Sequence, residues 1–109
     1  MKNKKFILNA DDFGSSKATN KAVLEGYELG ILKSVSLLPN GKYFDDAVNN
    51  ILPNCPELGV GVHLNLTSGI SQCLDMESLI DDKGVFKNNY WKLLFKAYNP
   101  KEKTFIEDV

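Results

Sequence analysis

The spacing of apolar positions changes several times along the chain, and each change marks an element. Phe6, Ile7 and Leu8 form a continuous apolar run leading into Asn9, Ala10, Asp11, Asp12, Phe13 and Gly14; a short run closed by polar residues reads as a buried strand. Gly14, Ser15 and Ser16 then supply a turn with a helix cap, and Ala18, Ala22, Val23, Tyr27 and Leu29 recur at near-helical spacing until Gly30. Residues 32–38 are strand-like around Val35 and end in Pro39, Asn40 and Gly41. Phe44, Ala47, Val48, Ile51 and Leu52 give a second amphipathic helix, stopped by Pro53 and Pro56. Residues 58–64 form a third strand in which Gly59 and Gly61 alternate with Val60 and Val62, leaving one face nearly bare. Glycines so placed mark close approach of backbone or ligand, and they put the expected site on that side.

Strand, helix, strand, helix, strand, with crossovers long enough for a helix, predicts parallel pairing and right-handed connections. The fold class is therefore α/β, a barrel or a doubly wound sheet. Over residues 68–89 the pattern loosens into a polar connection whose clearest turn is at residues 81–84. A short helix over residues 89–98 is expected to bury Trp91, Leu94 and Phe95. A further helix beyond Pro100 carries Phe105, Ile106 and Val109 and has no stop signal. The expectation is one incomplete domain over residues 1–109, truncated after residue 109.

Composition narrows the class. With 43% hydrophobic and 25% charged residues the chain is globular in type, and a net charge of −1 gives no reason to expect nucleic acid or an anionic membrane as partner. Three lysines before Phe6 resemble the basic end of a signal peptide, but the apolar run behind them is too short. Nothing approaches the roughly 20 apolar residues of a membrane span, so the expected location is cytoplasmic. Cys55 and Cys73 lie far apart, without Cys-x-x-Cys spacing, and read as reduced thiols.

In parallel α/β sheets ligands gather at the carboxyl ends of strands. Asp11 and Asp12 fall at one such end, and His63, the chain's one histidine, at another. A hard carboxylate and an imidazole together suit Zn²⁺, Mn²⁺, Co²⁺ or a similar ion, while a second carboxylate orients or deprotonates water. The competing readings are an Asp that caps the next helix and a buried, hydrogen-bonded histidine. One Asp and one His fall short of the three protein ligands of a catalytic zinc site. His63, Asn65 and Thr67 would share one strand face. Asp12, Phe13 and Gly14 spell the kinase magnesium motif, but nothing that must precede it in a kinase fits before residue 12. GxGxxG and P-loop patterns do not occur, and Ser15 and Ser16 lack the flanking pattern of a nucleophile.

Three segments taken together, NADDFG at residues 9–14, SVSLLPNG at residues 34–41 and GVGVHLNLTSG at residues 59–69, resemble the YdjC-like carbohydrate deacetylases of the chitooligosaccharide deacetylase type. The resemblance runs from Lys5 to about Phe86. It implies the N-terminal part of a distorted (β/α) barrel and metal-dependent removal of acetyl groups from N-acetylated sugars. By position, Asp12 and His63 would be metal ligands and Asp11 the general base acting on water. Asn40, Asn65 and Thr67 would line the sugar pocket. The ion would be Mg²⁺, Zn²⁺ or similar, with a third protein ligand lying beyond this chain, so these residues alone would make no competent enzyme. The partners implied are an acetylated oligosaccharide and, through an uncovered sheet edge, a homo-oligomer. The alternative is a shortened, non-catalytic relative that keeps a sugar-binding or oligomerising surface.

Overall fold

A computed structural model describes residues 3–99. It has two compact units, Met1–Leu64 and Asn65–Val109. The helix expected beyond Pro100 lies outside the described residues.

In the first unit, β1 (Asn9–Phe13), β2 (Ser34–Leu37) and β3 (Gly59–Val62) make a parallel sheet in the order β1-β2-β3. The expected α/β class and parallel pairing hold. The first strand is displaced, however. Phe6, Ile7 and Leu8 are exposed, and pairing starts at Asn9, opposite Ser34 where β2 begins. Pairing with a neighbour, more than hydrophobicity, fixes where a strand starts, and it draws Asp11 and Asp12 into β1. The third strand is likewise an edge of this sheet, with Val60 and Val62 exposed.

Helix α1 (Lys17–Glu28) starts where Ser16 Oγ accepts from Thr19 N at 3.0 Å. Ser16 therefore takes the cap that either Asp would have supplied. It stops at Gly30, whose φ of +72° suits glycine and whose N–H bonds the Tyr27 carbonyl. The second helix is irregular: α2 (Phe44–Asp46) passes into a π turn over Ala47–Ile51 and a 3₁₀ turn over Leu52–Asn54. Ala47 and Ile51 face inward and join Phe13, Val23 and Val35 in the core. Cys55 is also buried there, and burial raises its thiol pKa, the mark of an inert cysteine. Neither cysteine is in a disulfide.

The tightest backbone approach lies elsewhere than in the Gly59–Gly61 alternation, where only Gly59 is close to neighbouring backbone. A side chain on Gly61 would meet Val35 O at an ordinary 3.7 Å, and one on Gly59 would meet Lys33 O at 3.3 Å. A Cβ on Gly41, in contrast, would overlap the Gly14 carbonyl. The turns after β1 and β2 press on each other, tied by Tyr43 N to Gly14 O at 2.8 Å. Asn20, 1% exposed, closes the seam. Its Oδ1 accepts from Gly14 N, and its Nδ2 donates to Tyr43 O and Asp46 Oδ2.

The second unit is built around a turn. Asp81 Oδ1 accepts from Lys83 N and Val85 N, both at 2.9 Å, and Gly84 at φ +74° reverses the chain. Antiparallel bridges pair Ile70 with Val85 and Ile80 with Phe86. Leu79, Ile80 and Phe86 are buried, with Leu66, Met76 and Leu93 against them. Helix α3 (Tyr90–Tyr98) lies where a short helix was expected, with Asn89 as its cap. Its contacts differ in part from expectation: Trp91 and Phe95 are exposed, Leu94 is half-buried, and Leu93 packs against the cluster. Among the described residues no helix is long and apolar enough to cross a membrane.

Candidate metal centre

The C-terminal end of the sheet is held by two backbone bonds to the end of β2. Leu38 N donates to Phe13 O and His63 N donates to Leu37 O, both at 2.8 Å. Phe13, Leu37 and Val62 form one row across the strands. Asp12 stands just before that row and His63 just after it. Although β2 separates their strands, His63 Nε2 lies 3.2 Å from Asp12 Oδ1.

Local backbone makes this reach possible. Between Ala10 and Phe13 the β1–β2 register shifts, and Asp12 sits at φ +60°, a left-handed conformation that costs a non-glycine residue on the order of 1 kcal/mol. The irregularity breaks the alternation that would send adjacent side chains to opposite faces. Asp11 and Asp12 are both exposed, while Phe13 is fully buried.

The other nitrogen of His63 has a backbone partner. Nδ1 is 3.1 Å from the Leu64 carbonyl oxygen, which only accepts, so Nδ1 carries a hydrogen. In the neutral ring Nε2 turns its lone pair toward the Asp12 carboxylate, and a cation between the two relieves the repulsion. A proton meets that need, and so does a metal ion. Two donors bonded at about 2.1 Å to one ion stand about 3.0–3.4 Å apart at octahedral to tetrahedral angles, so the spacing here suits such an ion. The His63 Nδ1–H bond to a carbonyl is the outer contact that metal-bound histidines commonly have. Side-chain exposures of 64% for Asp12 and 30% for His63 leave the pair open to a ligand. Among the described residues no group of three or more His, Cys, Asp or Glu converges to hold an ion.

The other expected site residues are placed differently. Asn40 is half-buried in the turn after β2, at the same end of the sheet. Asn65 and Thr67 do not continue a strand face with His63, because β3 ends at Val62. Asn65 Oδ1 accepts from Thr67 N at 3.1 Å and Ser68 N at 3.2 Å, and its Nδ2 donates to Ser68 O at 2.8 Å. An Asx turn of this kind bends the chain where alternation alone would extend it.

One polar group went unassigned in the sequence. Asn9 Nδ2 donates to Asp11 Oδ1 at 2.8 Å and to Ser36 Oγ at 2.9 Å, while Ser34 Oγ donates to Asn9 Oδ1 at 2.6 Å. The signal was present as two polar alternations, Asn9-x-Asp11 and Ser34-x-Ser36, which meet only once the register Asn9 to Ser34 is known.

The first unit is thus a parallel α/β sheet with an acidic and an imidazole side chain meeting at its strand ends. The chain belongs to the YdjC-like protein family, whose pattern matches residues 5–107. It is 40% identical over 89 residues to a carbohydrate deacetylase of Thermoanaerobacter pseudethanolicus, covering 80% of this chain and 35% of that protein. A carbohydrate deacetylase of Listeria monocytogenes serotype 4b (strain CLIP80459) is 45% identical over 89 residues, covering 82% and 36%. The chain thus spans about a third of the length of these relatives. A crystal structure of a protein described as a cellobiose-phosphate cleavage protein, from Enterococcus faecalis V583, superposes with a TM-score of 0.72 at 28% identity, over 97% of this chain and 45% of that one. That likeness is consistent with part of a barrel.

Proposed function

We propose that the protein to which this chain belongs hydrolyses the N-acetyl group of acetylated sugars, chitooligosaccharides among them, in the cytoplasm and with a divalent ion such as Mg²⁺ or Zn²⁺. The observation that supports this best is the 3.2 Å approach of Asp12 Oδ1 to His63 Nε2. Asp12 and His63 would hold the ion. A bound divalent ion supplies Lewis-acid polarisation of the amide carbonyl and brings the pKa of water to about 7. Asp11, beside Asp12 and exposed, takes the proton of the attacking water. The amide C–N bond breaks, acetate leaves, and the proton passes to the sugar amine. Asn40, in the turn at the same end of the sheet, would contact the sugar, and by their motif alone Asn65 and Thr67 are weaker candidates for sugar binding. The outward edge of β3 suits pairing between copies.

The test is acetate release from an N-acetylated sugar dimer, with metal content measured on the same samples. Asp11→Asn is expected to cut release to a small residual rate and leave the metal bound, and Asp12→Ala or His63→Ala to lose both. Unchanged release in Asp11→Asn, or full release after chelation, would sink the assignment. The exposed Val60 and Val62 on the edge strand β3 favour a second reading, a non-catalytic relative that keeps a sugar-binding or oligomerising surface. That reading predicts weak metal binding and no acetate release with the site intact.

A further inference from the structure

We propose that Asn9 is a positioning residue that acts through Asp11, with Ser34 and Ser36 fixing Asn9 in turn. The inference rests on Asp11 being the proton acceptor. A carboxylate only accepts, so the group of Asn9 that faces Asp11 Oδ1 at 2.8 Å is its NH₂. Its carbonyl oxygen therefore faces Ser34, whose hydroxyl donates at 2.6 Å, and the second Nδ2 hydrogen goes to Ser36 Oγ at 2.9 Å. Three bonds leave the amide one orientation.

Their source gives the arrangement its rigidity. Asn9 and Asp11 lie two apart on β1, with Asn9 in register with Ser34 on β2, so the amide is anchored by a neighbouring strand. A base held by such bonds keeps its lone pairs aimed and spends no reorganisation at the moment of proton transfer. Asn9 is exposed, so its replacement opens no cavity in the Phe13–Val35 core.

The experiment is a double-mutant cycle on acetate release by the full-length protein, using Asn9→Ala, Asn9→Asp, Asp11→Asn and the pair Asn9→Ala/Asp11→Asn. Asn9→Ala is expected to lower kcat by about 10- to 100-fold, as outer-contact substitutions do. KM should stay within about twofold, because only a step after binding is affected. Metal content and melting temperature should not change. Asn9→Asp keeps the shape, removes the donor and should fall at least as far. On the residual rate of Asp11→Asn, adding Asn9→Ala should cost nothing more. An equal further loss there, or a rise in KM at constant kcat, overturns the inference. If Asp11→Asn removes activity while Asn9→Ala has no effect, the base stands and the role of Asn9 is wrong. If Asp11→Asn leaves kcat unchanged, both fall.

Discussion

Among the described residues up to Leu64, eight, Phe13 and Val35 included, form one buried cluster, whereas beyond it Leu79, Ile80 and Phe86 make a cluster of three. The first unit draws on a hydrogen-bonded sheet and crossover helices. The second draws on side chains that bond backbone carbonyls, as Lys87 Nζ does with Glu77 O and both Asn88 Nδ2 and Lys96 Nζ do with Ser78 O. Apolar burial scales with area, and a single hydrogen bond adds only about 0.5–1.5 kcal/mol net. The stable part of the chain should therefore be the part that carries Asp11, Asp12 and His63, so the acidic pair rests on the better-packed frame.

The largest expected effect breaks that frame. Phe13 is fully buried and next to Asp12, and Phe13→Ala should cost about 3–5 kcal/mol. Denaturant unfolding followed by circular dichroism should show loss of the cooperative transition, and amide exchange should show loss of protection in β1 and β2. Leu79→Ala, at an equally buried position, should cost about 2–4 kcal/mol. Its loss of exchange protection should be confined to residues after Leu64. Collapse of protection across β2 in Leu79→Ala would show that the two units unfold as one and would end the comparison.

The two regions also differ in how far their sequence could be read. Period-2 and near-3.6 spacing carried the strand and helix order of the first unit, because those patterns follow directly from which side of an element is buried. The start of β1 was not legible, since Phe6 to Leu8 are more apolar than the residues that pair, and pairing is a non-local choice. The π turn over Ala47–Ile51 was hidden for a related reason: it keeps Ala47 and Ile51 inward, as a regular helix would. Asp12 and His63 were visible as strand-end residues, but their meeting across β2 depends on the register shift and the positive φ of Asp12, neither of which has a sequence period. In the second unit periodicity misled, making Trp91 and Phe95 core residues when Leu93 packs. A short helix offers too few turns for spacing to decide which face is inward.

Gly41→Ala sharpens the comparison at a smaller scale. It drives a methyl group into the Gly14 carbonyl, and overpacking of this kind costs about 1–3 kcal/mol. The strain falls on the turn that follows Asp12, so a thermal melt should drop while the exchange pattern around Leu79 stays as it was. A Gly41→Ala melt equal to the parent would mean that the seam between the turns after β1 and β2 yields freely.

Acid gives the mildest probe of the same seam. Asp46 is held below its ordinary pKa of 3.8, first by its hydrogen bond from Asn20, then by that from Asn50, with the Lys17 charge adding to both. A carboxylate whose folded-state pKa is lowered stabilises the fold at pH above its unfolded value, and that stabilisation fades as pH falls through the folded value. The window therefore opens below about 3.8. Below it, Asn20 loses its charged acceptor while still tied to Gly14 N and Tyr43 O, so the seam loosens and does not open. Asp46→Asn keeps an acceptor but removes the charge. Its melting temperature should sit below the parent's near neutrality and converge on it in acid. Parallel acid profiles for parent and Asp46→Asn would show that this carboxylate contributes nothing to the seam, and that the frame under Asp12 is held by apolar packing and backbone bonds alone.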